Sequence, residues 1–189
     1  MSGSDPYLHP DRPVLRNKLG IFDARRLDLV ERQLVTQRIA EGVPAGVFDL
    51  AHLRAIHHHL FQDIYDWAGE VRTVELAKDG HQFQLRRFIG TGMADVHHRL
   101  RDADFLRGLS GQAFATAASM IIGDLNYVHP FRDGNGRAQL QYLERLAWQA
   151  GHPLALTRLS PDGWLAASRA AHHGNYQPMA EEIARAIGD

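Results

Sequence analysis

Apolar residues return at helical spacing along most of this chain, and that period decides what it can fold into. Leu27, Val30, Leu34, Val35 and Ile39 share one face from Asp23 until Glu-Gly-Val-Pro-Ala-Gly breaks the pattern. Leu53, Ile56, Leu60, Phe61 and Ile64 repeat it over roughly 47–64, and Phe114, Ala118, Ile121 and Leu125 over 111–127. Further helices are predicted over 88–106 and 135–150, another opening on Ser160 as N-cap with Pro161 in its first turn, and a short last one over 181–187. Alternation is convincing only in 71–85, where Val71, Thr73 and Val74 precede Lys78-Asp79-Gly80 and then Phe83 and Leu85. That stretch predicts a short hairpin with exposed edges. Residues 1–20, broken by Pro6, Pro10 and Pro13, read as an extended arm. The expected fold class is mainly α: a compact helical bundle with one short β-hairpin, a single domain over 1–189.

Composition narrows the function. At 189 residues with 44% hydrophobic and 23% charged, the chain has globular proportions and enough length for one core. The 21 basic residues balance 22 acidic ones without a basic run, so no footprint for duplex DNA or an anionic membrane is present. Cysteine is absent, which removes disulfides, thiolate metal sites and cysteine nucleophiles. With neither a signal-peptide pattern nor a spanning apolar run, a cytoplasmic protein is expected, and specialised secretion would leave no mark on the sequence.

One loop is crowded with chemistry. In Tyr-Val-His-Pro-Phe-Arg-Asp-Gly-Asn-Gly-Arg, residues 127–137, Pro130 ends the preceding helix and so puts His129 on a sharp connection. Gly134 and Gly136 let the backbone turn straight into the next helix, presenting unpaired N–H groups at the positive end of its dipole. Asn135 and Arg137 reinforce that anion site, and Asp133 offers the hard oxygen that Mg²⁺ takes beside substrate phosphates. His129, titrating near neutrality, is the natural base for an attacking hydroxyl. Base, metal ligand and oxyanion cradle together describe phosphoryl or nucleotidyl transfer. Among the 12 histidines, His57 falls on the apolar stripe and is expected in the core, whereas His97, His98, His172 and His173 are expected at the surface or a site rim. Consecutive His57, His58 and His59 point in different directions and cannot share one ion. Trp67, Trp148 and Trp164 are read as core residues.

His129 to Arg137 resembles the signature of the Fic domain, His-x-Phe-x-(Asp/Glu)-Gly-Asn-Gly-Arg-x-x-Arg. The likeness extends through residues 14–21, through Asp-Trp-Ala-Gly-Glu-Val-Arg-Thr-Val and through Trp164 and His-His-Gly-Asn-Tyr-Gln-Pro-Met, covering about 6–187. The resemblance implies AMPylation: AMP passes from ATP to a Ser, Thr or Tyr hydroxyl of a target protein, and pyrophosphate leaves. By that resemblance His129 is the general base and Asp133 holds Mg²⁺. Gly134, Asn135 and Gly136 form the anion hole, Arg137 contacts phosphate, and Phe131 anchors the loop. The hairpin would be the flap that docks an extended target segment by strand addition, with Lys78 and Phe83 as its contacts. By analogy with small bacterial Fic toxins, the target would be an essential protein such as a type II topoisomerase.

Position 140 departs from the pattern, with Leu140 where the family has its second arginine. Losing a charge-assisted phosphate contact removes on the order of 1.5–3 kcal/mol. AMPylation then persists with weaker ATP binding, or another nucleotide or phosphate donor is used, or the chain is a silent nucleotide-binding interaction protein. The family's inhibitory Ser/Thr-x-x-x-Glu-Gly/Asn helix finds no match: before Glu41-Gly42 the required place holds Gln37, with Thr36 one place too early. A separate small antitoxin stays open, without the arginine its glutamate would grip.

Overall fold

A computed structural model describes residues 5–78 and 80–187. Asp79, in the turn of the expected hairpin, lies outside them. Helix α1 (Ala24–Ala40) is capped by the Asp23 carboxylate, and α2 (Leu50–Phe61) by Asp49. α2 is shorter than its apolar stripe because Phe48, buried and at φ 63°, turns the chain just before the cap. α3 (Ile89–Asp102) stops ahead of its predicted end, since Asp104, Phe105 and Leu106 all take positive φ. α4 (Gly111–Val128) and α5 (Asn135–Ala150) keep their expected spans almost to the residue. α6 (Pro161–His172) starts at the predicted Ser160 cap. The last helix, α7 (Gln177–Ala186), begins earlier than predicted, with a Pro in its first turn.

α4 is the central rod. Phe114, Ala118, Ile122 and Leu125 are fully buried on it, and α3, α5, α6 and α7 pack around them. Each such Leu, Ile or Phe contributes about 1.5–3 kcal/mol relative to exposure. One continuous apolar core runs from α1 to α7. No helix among the described residues is long and apolar enough to cross a membrane.

The N-terminal arm is not simply extended. Residues Leu8–His9 (β1) pair antiparallel with Arg12–Leu15 (β2), Leu8 opposite Leu15. What the period missed was anchoring: Tyr7 and Val14 are buried, and Tyr7 meets Trp67 edge-on at 5.5 Å. The central hairpin is narrower than 71–85, with only Ala77–Lys78 (β3) pairing His81–Gln82 (β4). Beyond it the stems are held by the bond from Phe83 N–H to the Leu76 carbonyl (3.0 Å) and by side chains. Trp148 corrects another expectation: it is 67% exposed, with Arg145 set over its ring. Trp67 and Trp164 are half-buried against the core.

Candidate active site

The turn between α4 and α5 is built from the inside outward. Phe131 is fully buried and stacks on His57 with ring centroids 3.9 Å apart. His57 accepts the Gly69 N–H at Nδ1 (2.8 Å), so its Nε2 carries the proton and donates to the Asp133 carbonyl (2.9 Å). The buried imidazole thus supports the turn as a neutral strut, as its place on the apolar stripe implied. Burial lowers its pKa to about 4 from the ordinary 6.5. Between those values the unfolded chain binds a proton that the folded one refuses, so stability falls as pH drops. Denaturant melts at pH 7 and pH 5 are expected to show a loss of about 2 kcal/mol from this group. His57→Gln should flatten the slope by that amount; an unchanged slope would show that His57 does not carry it.

His129 is the C-cap of α4 at φ 47°, its N–H bonded to the Leu125 carbonyl (3.1 Å). Its Nδ1 lies 3.1 Å from the Asn126 carbonyl, which can only accept, so Nδ1 bears the hydrogen and Nε2 keeps its lone pair. Burial lowers the pKa of this imidazole also to about 4, leaving it unprotonated at neutral pH. The ring of Phe83 lies parallel over it, centroids 3.7 Å apart.

Gly134 takes φ 78° as N-cap of α5, and a Cβ there would overlap the buried ring of Phe61, so this glycine is required twice over. The first helical bond runs from Ala138 N–H to the Gly134 carbonyl (3.1 Å). The amides of residues 135–137 therefore have no intrahelical acceptor and open at the dipole's positive end. Asn135 plays a different part from the one expected of its side chain. It is buried and clamps the turn, accepting from Phe131 N–H (2.9 Å) and donating to the Phe131 carbonyl (2.8 Å). Its side-chain oxygen and one Nδ2–H are thereby committed to the turn. Gly136 is exposed, with open space where a side chain would stand.

The Asp133 carboxylate, half exposed, accepts from Gly134 N–H at 2.5 Å and lies 3.6 Å from the Arg137 guanidinium. Arg137 is also paired with Glu31 of α1, whose other oxygen accepts from the Tyr65 hydroxyl. The guanidinium sits over Phe61, 4.6 Å from the centroid. Glu31 and Tyr65 escaped the sequence reading. Glu31 sits within a helix like any solvated acid, and its burial is the only sign that it holds something.

His129, Asp133, Gly134, Asn135, Gly136 and Arg137 line one cleft of about 490 Å³ with Lys78 and Phe83 of the hairpin. Trp164 and Leu165 of α6 close its far wall. Leu140 is half-buried and lines this cleft. His172 belongs to the rim as expected, 5.8 Å from the Phe83 ring.

The model of the Fic/DOC family matches residues 47–147. A probable protein adenylyltransferase of Sinorhizobium fredii, y4lH, is 39% identical over 97% of this chain and 96% of its own. The probable protein adenylyltransferase Fic of Salmonella typhimurium is 33% identical, covering 99% of this chain and 94% of its own. Among solved structures, the BepC effector of Bartonella tribocorum with bound AMPPNP superposes with a TM-score of 0.87 at 28% identity, over 96% of each chain.

Proposed function

This chain belongs to the Fic/DOC family, and from that premise we propose that it is a protein adenylyltransferase acting through the α4–α5 turn. The observation that supports this most is the pairing of a base with an anion site. His129 presents a free Nε2 in the same cleft as the unpaired amides of 135–137.

The target hydroxyl would give its proton to Nε2 of His129 as its oxygen attacks the α-phosphorus of ATP. The bond to pyrophosphate breaks, and AMP stays on the target as a phosphodiester. The amides at the start of α5 face the charge that develops on the phosphoryl oxygens. The Asn126 carbonyl holds the ring and receives Nδ1–H throughout, so the proton acceptor is always Nε2. A depressed pKa trades base strength for availability, since nearly every molecule carries the lone pair at pH 7.

Asp133 fits Mg²⁺: one half-exposed hard carboxylate beside the phosphate site matches an ion that binds few protein ligands and completes its shell with phosphate and water. Among the described residues no group of three His, Cys, Asp or Glu could hold a metal alone, so the ion would arrive with the nucleotide. When bound it would neutralise phosphate charge. Phe83 stacks on the base and Lys78 lines the same cleft, and the hairpin's exposed strands suit docking of an extended target segment.

Leu140 in the cleft supports a second reading, in which the triphosphate binds reversed and its γ-phosphate is transferred. ATP labelled separately at the α and γ positions, incubated with the protein, Mg²⁺ and bacterial lysate, separates the two. The α label should appear on a lysate protein. Transfer of γ label alone would replace AMPylation by kinase-like transfer, and transfer of neither would remove both.

Glu31 fixes the direction in which Arg137 points. Glu31→Gln keeps the shape and loses one charge-assisted bond of about 1.5 kcal/mol, so ATP-analogue affinity by calorimetry is expected to fall about tenfold. Tighter binding would instead mean that Glu31 competes with phosphate for the guanidinium.

A further inference from the structure

Arg72 precedes the hairpin and has a side chain with no exposed surface. Its guanidinium nonetheless donates to three backbone carbonyls from separate places. Nε–H reaches the carbonyl of His129 at 2.8 Å. One terminal nitrogen reaches Val74 at 2.7 Å, and the other reaches Gln84 at 2.5 Å. The backbone N–H of Arg72 adds a bond to the Pro130 carbonyl (2.9 Å), and the N–H of Gln84 one to Tyr127 (3.0 Å). Both stems of the hairpin and the turn that carries His129 therefore converge on one planar fork.

Such a charge is an expensive way to fill space. Arginine does not escape burial by losing its proton, and its nearest carboxylate, Glu75, stands 3.5 Å away and is 44% exposed. Most of the compensation comes from carbonyl dipoles, whose directions the fork fixes. Apolar residues of similar volume would often be as stable there. A buried fork that joins two separate segments specifies their relative position. The pinned carbonyl is that of a left-handed residue, and its orientation sets where the imidazole points. The residue before Gln84 is Phe83, whose ring covers that imidazole.

We propose that Arg72 is a positioning residue that locks the hairpin to the His129 turn, so that the surface receiving the target and the base receiving its proton move as one unit. Its effect on transfer rests on the adenylyltransferase reading; its effect on the hairpin does not. Lysine keeps the charge but cannot span three carbonyls with a point-like ammonium.

The test is Arg72→Lys, first by hydrogen exchange read by mass spectrometry. Amides in 73–85 and 129–131 should exchange at least tenfold faster than in the wild type, with α3 and α4 unchanged. In the transfer assay the KM for the modified protein should rise at least tenfold, while the affinity for an ATP analogue stays within twofold. An unaltered hairpin exchange rate, or a KM that does not move, would overturn the proposal. If the lysine variant does not fold, Phe83→Ala decides: it removes the ring stack and leaves the fork. Hairpin protection should then stay within twofold of wild type, and loosening of the hairpin by this variant would show that stacking is the lock. A wild-type protein that transfers no AMP would sink the adenylyltransferase reading alone, because the exchange measurements still decide the role of Arg72.

Discussion

His129→Ala is expected to lower AMP transfer by about 10²–10⁴-fold while leaving ATP-analogue binding within a few-fold of wild type. A positioned general base contributes about 10²–10⁴-fold, and the free Nε2 is the atom placed to act as one. In the proposed mechanism the ring would face the incoming hydroxyl, and the start of α5 would hold the phosphates. Alanine alone would leave an ambiguity, because residue 129 sits at φ 47° and a Cβ residue there is strained. Asparagine tolerates that conformation better than most residues, so His129→Asn separates lost chemistry from a distorted turn. Both variants should be equally inactive and fold normally. Transfer that survives in His129→Asn would remove the histidine from the reaction and leave a nucleotide-binding interaction protein as the better description.

Leu140→Arg should tighten ATP binding by about tenfold to a hundredfold, the equivalent of one charge-assisted contact of 1.5–3 kcal/mol. The position lies one turn along α5 from Gly136 and Arg137, on the face that lines the cleft, so a longer cationic side chain there would extend toward bound phosphate. The substitution also exchanges a half-buried apolar contact for a charge, and thermal stability is expected to fall slightly. Calorimetry with a non-hydrolysable analogue reads the affinity directly. An unchanged dissociation constant would mean that the nucleotide lies clear of position 140, which the reversed orientation of the triphosphate would also produce. The α- and γ-label experiment then distinguishes the two.

The loop from His129 to Arg137 was legible because its demands are local. A proline that stops α4, a glycine at positive φ and the start of α5 are all dictated by neighbouring residues. Helices with strong period, α4 and α5 above all, were legible for the same reason. Their register follows from side chains three and four apart. The partners of that loop were not legible. Glu31 lies 106 positions from Arg137, and Arg72 lies 57 from His129. No short-range pattern marks a carboxylate or a guanidinium that will be buried against a distant segment. The N-terminal hairpin was missed for a related reason, since its two short strands hold through Tyr7 and Val14 in the core and carry too little alternation of their own.

Asn135 shows where the division falls. Sequence placed it in the loop expected to bind an anion, and tertiary structure turned its side chain onto the Phe131 backbone. By itself the sequence determined the helical class, the turn, and the residue types able to supply a base, a metal ligand and an anion site, because period and local backbone geometry decide those. The tertiary structure decided which nitrogen of His129 is free, what holds Arg137 and what ties the hairpin to the turn. Those depend on hydrogen bonds that form only when segments far apart in the chain are packed together.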